Sequence, residues 1–100
     1  MFIRLFLSSV APGDLAQVER LFREDVIPAF QAHPDCLGIQ LIMAAQADVA
    51  GLVEGGAISR WKTLEGMNEA LLSPKVRESQ NRIRELLRRE PVQKVYEVRA

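Results

Sequence analysis

The sequence predicts one α+β domain with the element order β-α-β-β-α-β, and three observations carry that prediction. Residues 2–10, 37–45, 52–61 and 92–98 are rich in β-branched and large apolar side chains and read as strands. The segments after the first and third strands instead repeat apolar residues every three to four positions, the period of a helix with one buried stripe. No repeat, low-complexity tract or Pro/Gly/Ser linker divides the chain, and its 100 residues suit a single core spanning 1–100.

In the first strand Ile3, Leu5 and Leu7 alternate with Phe2, Arg4 and Phe6, so both faces are largely apolar and both call for cover. Pro12-Gly13-Asp14 turns the chain into a helix, with Asp14 placed as its N-cap. Leu15, Val18, Leu21, Phe22, Val26 and Phe30 form that helix's stripe, and Glu19/Arg23 and Arg20/Glu24 stand as i,i+4 pairs on its other side. Pro28 removes a backbone donor inside the pattern, which predicts a kink or loosened last turns before His33-Pro34-Asp35 ends the element.

The second strand alternates Leu37, Ile39, Leu41 and Met43 against Gly38, Gln40, Ile42 and Ala44. In the third, Gly55-Gly56 is poor strand material and suggests a bulge or the close approach of another group. Thr63 is placed to cap a second helical region, which Ser73-Pro74 divides into a short piece and a longer one. Met67, Leu71, Leu72, Val76, Ile83, Leu86 and Leu87 supply its buried stripe, and Glu78/Arg82 and Glu85/Arg89 have the favoured i,i+4 orientation. Pro91 stops the helix before the last strand.

This order is the ferredoxin-like arrangement, a four-stranded antiparallel sheet with both helices on one face. Two helices leave the other face bare, although the first two strands are apolar on both sides. A bare apolar sheet face is a large adhesive patch, so the expectation is a homodimer joined through the sheet face.

Thirteen basic side chains balance thirteen acidic ones. Nucleic-acid binders need a basic surplus to neutralise phosphates, and so does attachment to an anionic membrane, so neither partner is expected. The longest apolar run is far too short to span a bilayer. The N-terminal run has an arginine inside it and no small-residue cleavage site, so it reads as a strand rather than a leader. One cysteine, Cys36, forms no internal disulfide and fits a cytoplasmic location.

Three local signatures join the element order. Ile27-Pro28-Ala29-Phe30-Gln31-Ala32-His33-Pro34-Asp35-Cys36-Leu37-Gly38 runs from a helix end through a turn into the second strand. Ile58-Ser59-Arg60-Trp61-Lys62-Thr63-Leu64-Glu65 ends the third strand on tryptophan and caps the next helix, and Leu72-Ser73-Pro74-Lys75-Val76 breaks the second helical region. Together they resemble the antibiotic biosynthesis monooxygenase family of the dimeric α/β-barrel superfamily, over nearly the whole chain. The resemblance implies a cofactor-independent monooxygenase that oxidises a small aromatic, phenolic or quinol-type substrate with dioxygen. It also implies a pocket between sheet and helices, lined by the tryptophan that ends the third strand, here Trp61. The asparagine often found on the family's first strand is replaced by Phe6-Leu7-Ser8. The histidine used by its haem-degrading branch has no counterpart between Trp61 and Pro91.

The expected pocket is lined by Trp61, Phe6, Phe22 and Met67, with the indole N–H of Trp61 and the side chains of Gln40, Arg4 and Arg60 as donors to a substrate oxyanion. Arg4 and Arg60 also have a structural reading, in which they pair with Glu54, Glu97 or a second subunit. No His/Cys cluster suits a metal, and no flavin or other cofactor is implied. His33 and Cys36 lack a positioned partner for acid–base or nucleophilic work, and the arginines of the last helix read as a salt-bridged solvent face. The alternative function is a non-catalytic small-ligand-binding or accessory dimeric module that keeps the fold without the chemistry.

Overall fold

The computed structural model describes residues 1–100. Strands β1 (Phe2–Val10), β2 (Cys36–Met43), β3 (Val53–Trp61) and β4 (Val92–Glu97) form one antiparallel sheet in the order β2-β3-β1-β4. A 3₁₀ turn at Pro12–Asp14 leads into α1 (Leu15–Leu21), which runs through a π-helical turn, Phe22–Val26, into α2 (Ile27–Gln31). After β3 come α3 (Leu64–Leu72) and α4 (Pro74–Arg84). The architecture is the ferredoxin-like α+β fold. No helix is long and apolar enough to cross a membrane.

The register sorts the two sheet faces. Arg4, Phe6, Ser8 and Val10 stand beside Ser59, Ala57, Gly55 and Val53 on the face under the helices. Phe6 and Ala57 there join Phe22, Val26, Phe30, Trp61, Met67 and Val76 in the core. Ile3, Leu5 and Leu7 point the other way, in register with Arg60, Ile58 and Gly56 of β3 and with Tyr96, Lys94 and Val92 of β4. On that uncovered face Ile42, Val92 and Tyr96 are exposed.

Thr63 and Ser73 cap their helices as expected, accepting from the N–H of Gly66 at 2.9 Å and of Val76 at 3.4 Å. Asp14 does not: its carboxylate makes no cap bond, because the chain enters α1 through the 3₁₀ turn, with the Asp14 N–H bonded to Ala11 O. The effect of Pro28 also falls earlier than expected. In a regular helix its ring would press on the carbonyl four residues back, and the preceding π turn widens the spiral there. Ile27 N–H accordingly bonds to Phe22 O, five residues back. Glu19/Arg23 and Arg20/Glu24, spaced for an uninterrupted α-helix, form no ion pair.

Gly55-Gly56 is not a bulge. β3 pairs through both glycines with both neighbours, and the register shift lies at Cys36/Gly38 instead. The reason for glycine is close approach: a Cβ on Gly56 would collide with the Phe6 carbonyl, and one on Gly55 with the Met43 sulfur.

The last helix ends at Arg84, well short of Pro91. Beyond it the chain is drawn onto the end of β1: Arg88 N–H bonds to Ser9 O at 2.8 Å and the Ser8 hydroxyl to Arg89 O at 2.6 Å. Arg89 therefore leaves Glu85 and pairs with Asp48 at 2.7 Å, also donating to Ser9 Oγ at 3.0 Å.

Candidate functional site

Between the sheet and the helices lies a cavity of about 50 Å³. Its wall is mostly apolar, built largely by Phe6 of β1, Val18 of α1, Phe22 and Val26 of the π turn and Phe30 of α2, with Gln80 of α4 and Arg4 of β1 as its polar side chains. Gly55 and Gly56 present bare backbone to it from β3, while Ile83 and Leu87 close it from the α4 side. The π turn and Pro28 together set the phase that aims Phe22, Val26 and Phe30 at one space.

Arg4 is the one charged side chain in this wall. It is 4% exposed, and its Nη2 donates to Gln93 Oε1 of β4 at 2.6 Å. Its guanidinium carbon stands 5.7 Å from the centre of the Phe6 ring. No carboxylate forms an ion pair with it. Burial, and then the nearby charge of Arg84, lower the Arg4 pKa from its ordinary value. A cation held out of water with a neutral amide for company is costly unless an anion reaches it. The neighbouring aromatic face offsets part of that cost.

The residues anticipated from the sequence divide into two groups. Arg4, Phe6 and Phe22 converge on the cavity. Trp61 is fully buried outside its lining, tilted against Phe30 with ring centres 6.0 Å apart and edge-on to His33 at 6.4 Å. Its N–H is committed to Ser59 Oγ at 2.9 Å. Met67 packs in the same core without reaching the cavity. Gln40 and Arg60 lie on the uncovered sheet face, where Arg60 Nη1 donates to Gln40 Oε1 at 3.2 Å; Arg60 thus pairs with an amide rather than with Glu54 or Glu97.

Sequence reasoning missed Val18, Val26, Leu87 and the Arg4 partner Gln93. The register supplies Gln93, since it faces Phe6 across β1–β4. Gly55-Gly56 was the one local signal of a tight space.

His33 is structural in its contacts. Nδ1 accepts from the Asp35 N–H at 3.0 Å and Nε2 meets Glu69 Oε2 at 2.9 Å, so the ring ties the end of α2 to α3. Burial pushes the Cys36 thiol pKa up, which disfavours a thiolate. No three His, Cys, Asp or Glu side chains converge as metal ligands.

The same arrangement of strands and helices recurs among solved structures. A candidate antibiotic biosynthesis monooxygenase from Deinococcus radiodurans superposes with a TM-score of 0.77 at 18% identity, over 100% of this chain and 94% of that one. SnoaB, a cofactor-independent oxygenase from Streptomyces nogalater, gives 0.73 at 17% identity, over 99% and 94%. A candidate monooxygenase from Nitrosomonas europaea gives 0.76 at 10% identity, over 98% of each chain. The chain has the antibiotic biosynthesis monooxygenase fold. No family model matches the sequence, and no curated protein matches it by sequence, so the likeness to these monooxygenases is one of fold.

Within that monooxygenase fold the cavity is small. An enclosed apolar space of roughly 150 Å³ takes up benzene, and this one is about a third of that. It can hold dioxygen as it stands. An aromatic ring needs more room than this, and Leu87 of its wall lies beyond the end of α4, on non-helical backbone.

Proposed function

We propose that the protein is a cofactor-independent monooxygenase of small phenolic or quinol-type molecules, working as a cytoplasmic homodimer. The observation that carries this reading is Arg4, a buried guanidinium without a carboxylate in the wall of a cavity that is otherwise apolar except for Gln80. Dioxygen reacts with an electron-rich anion rather than with a neutral phenol. Arg4 lowers the energy of that anion at one point of a dry space, where a fixed positive charge acts far more strongly than in water.

For a substrate with a CH₂ activated by neighbouring phenols, loss of one proton to water gives a carbanion whose charge sits largely on oxygen, against Arg4. The carbanion adds dioxygen to form a C–O bond and, once protonated, a hydroperoxide. Loss of water then leaves a carbonyl. The balance is R₂CH₂ + O₂ → R₂C=O + H₂O, with all four electrons supplied by the substrate, so no external reductant enters. Phe6 and Phe22 give the ring its walls. The Trp61 N–H is already bonded to Ser59, so the donor role passes to Arg4.

The dimer reading rests on the uncovered face. Ile3, Leu5, Leu7 and Ile58 form an apolar patch there, extended by the exposed Ile42, Val92 and Tyr96, and a second copy of the sheet covers it most simply. Light scattering at low micromolar concentration is expected to give twice the monomer mass, and a monomer there refutes the sheet-to-sheet packing.

The activity is tested by oxygen uptake with a panel of anthrones, quinols and small phenols, comparing the native chain with Arg4→Met. Uptake with at least one substrate, lost by more than tenfold in the variant, is the expected result. No uptake with any of them turns the reading to the non-catalytic ligand-binding module.

A further inference from the structure

Leu87 has cavity on one side and, on the other, an open groove of about 360 Å³ lined by Arg84, Arg88, Arg89, Glu90 and Pro91. Three arginines border this groove against one carboxylate. Arg89 is occupied by Asp48, whereas Arg84 and Arg88 form no ion pair. The composition of the last helix suggests a mutually neutralised face, and Arg82 does behave so, pairing with Asp25 and Glu78. The groove end does not. A basic residue in a final helical turn is favoured by the helix dipole, which accounts for Arg84. It does not account for Arg88, which the bond from its N–H to Ser9 O fixes beyond the helix. Arg84 is also near enough to Arg4 for the two charges to act on each other, with no protein anion paired to either.

We propose that the groove seats a carboxylate, and that the natural ligand is therefore an aromatic acid. Its ring passes Leu87 toward Arg4 and its carboxylate rests between Arg84 and Arg88. This names the substrate class for the site above and rests on that site being the ligand pocket. The guanidinium groups supply planar, two-pronged donors that match a carboxylate. The same charges in a shallow, solvent-facing groove also steer an anionic ligand toward the mouth.

The test is binding, read without turnover. Affinities of 1-hydroxy-2-naphthoate and 1-naphthol, which share a ring system and a phenol and differ in the carboxylate, are measured by calorimetry at low and high salt. The protein is native, Arg84→Gln/Arg88→Gln, or Arg77→Gln as an exposed-arginine control, with circular dichroism to show that each is folded. The acid is expected to bind about tenfold more tightly than the naphthol at low salt. That preference should shrink with salt, disappear in the double variant and survive in the control. Equal affinity for the two ligands, a preference that persists in the double variant, or no binding of either at millimolar concentration overturns the proposal. Tighter binding of the acid without oxygen uptake on any substrate upholds the ligand class while removing the oxygenase reading. Turnover of neutral phenols with no preference for acids does the reverse.

Discussion

The indole N–H of Trp61 donates to the hydroxyl of Ser59, two residues earlier on the same strand, at 2.9 Å, and both side chains are almost wholly out of solvent. The pair meets the one polar demand of the largest side chain in the core. Trp61 emission is therefore expected to be blue-shifted and poorly quenched by acrylamide. Ser59→Ala leaves the N–H buried without an acceptor, which costs about 1–3 kcal/mol. Trp61→Phe leaves a cavity and is expected to cost about 2–4 kcal/mol. Urea unfolding measures both, and a change in either variant below a few tenths of a kcal/mol contradicts the packing described.

Gly56→Ala should be among the most damaging small substitutions in the chain. Its Cβ meets the Phe6 carbonyl across the central β1–β3 pairing, where neither backbone can retreat without breaking the ladder. A loss above about 3 kcal/mol is expected by thermal or urea unfolding. Gly13→Ala, with nothing within 4 Å of the added carbon, serves as the comparison and should stay close to native stability.

Asp48 organises the loop between β2 and β3 and holds Arg89, and hydrogen bonds from Arg89 and then from the Leu52 N–H lower its pKa below the ordinary 3.8. A carboxylate with a depressed native pKa stabilises the fold above its unfolded pKa, and the contribution drains away as pH falls toward the native value. Asp48→Asn should thus be less stable than the native chain at pH 7. The gap should narrow as pH drops below 3.8. A difference that stays constant from pH 7 to pH 3 excludes this linkage.

Arg4→Met separates stability from function. Replacing an unpaired buried charge by an apolar chain of similar reach is often neutral or stabilising, although Gln93 loses its partner. The melting temperature is expected to hold or rise while ligand affinity falls. A large drop in melting temperature identifies Arg4 as a structural strut instead.

Much of the fold was legible because it rests on periodicity and caps: the four strands, the Thr63 cap and the Ser73-Pro74 break are local statements that tertiary packing left intact. Asp14 and the end of α4 were not legible, because each was decided by distant partners, the Ala11 carbonyl in a 3₁₀ turn and the hydrogen bonds of residues 88 and 89 to β1. At the site, strand alternation put Arg4 and Phe6 on the inner face. It put Gln40 and Arg60 inward as well, and there it was wrong: the register sends both to the other face, beside Ile58. Trp61 was expected at the pocket because the family resemblance implies a tryptophan there. Spacing put Val18, Phe22, Val26 and Phe30 on one stripe, but which large apolar residues border the cavity and which fill the core depends on how separate elements pack, which no local pattern decides.

The π turn has an evolutionary reading. A π turn is in effect one surplus residue spliced into a helix, and regular winding resumes directly after it at Ile27, with Pro28 in the first turn. Because the widened turn absorbs the extra residue, deleting one residue between Phe22 and Val26 would restore an ordinary spiral and leave the side chains upstream and downstream of the cut close to their present relative phase. Val18 and Phe30, on either side of the turn, would still look into the same space. The hollow can thus tolerate a one-residue change of length in the helix that walls it.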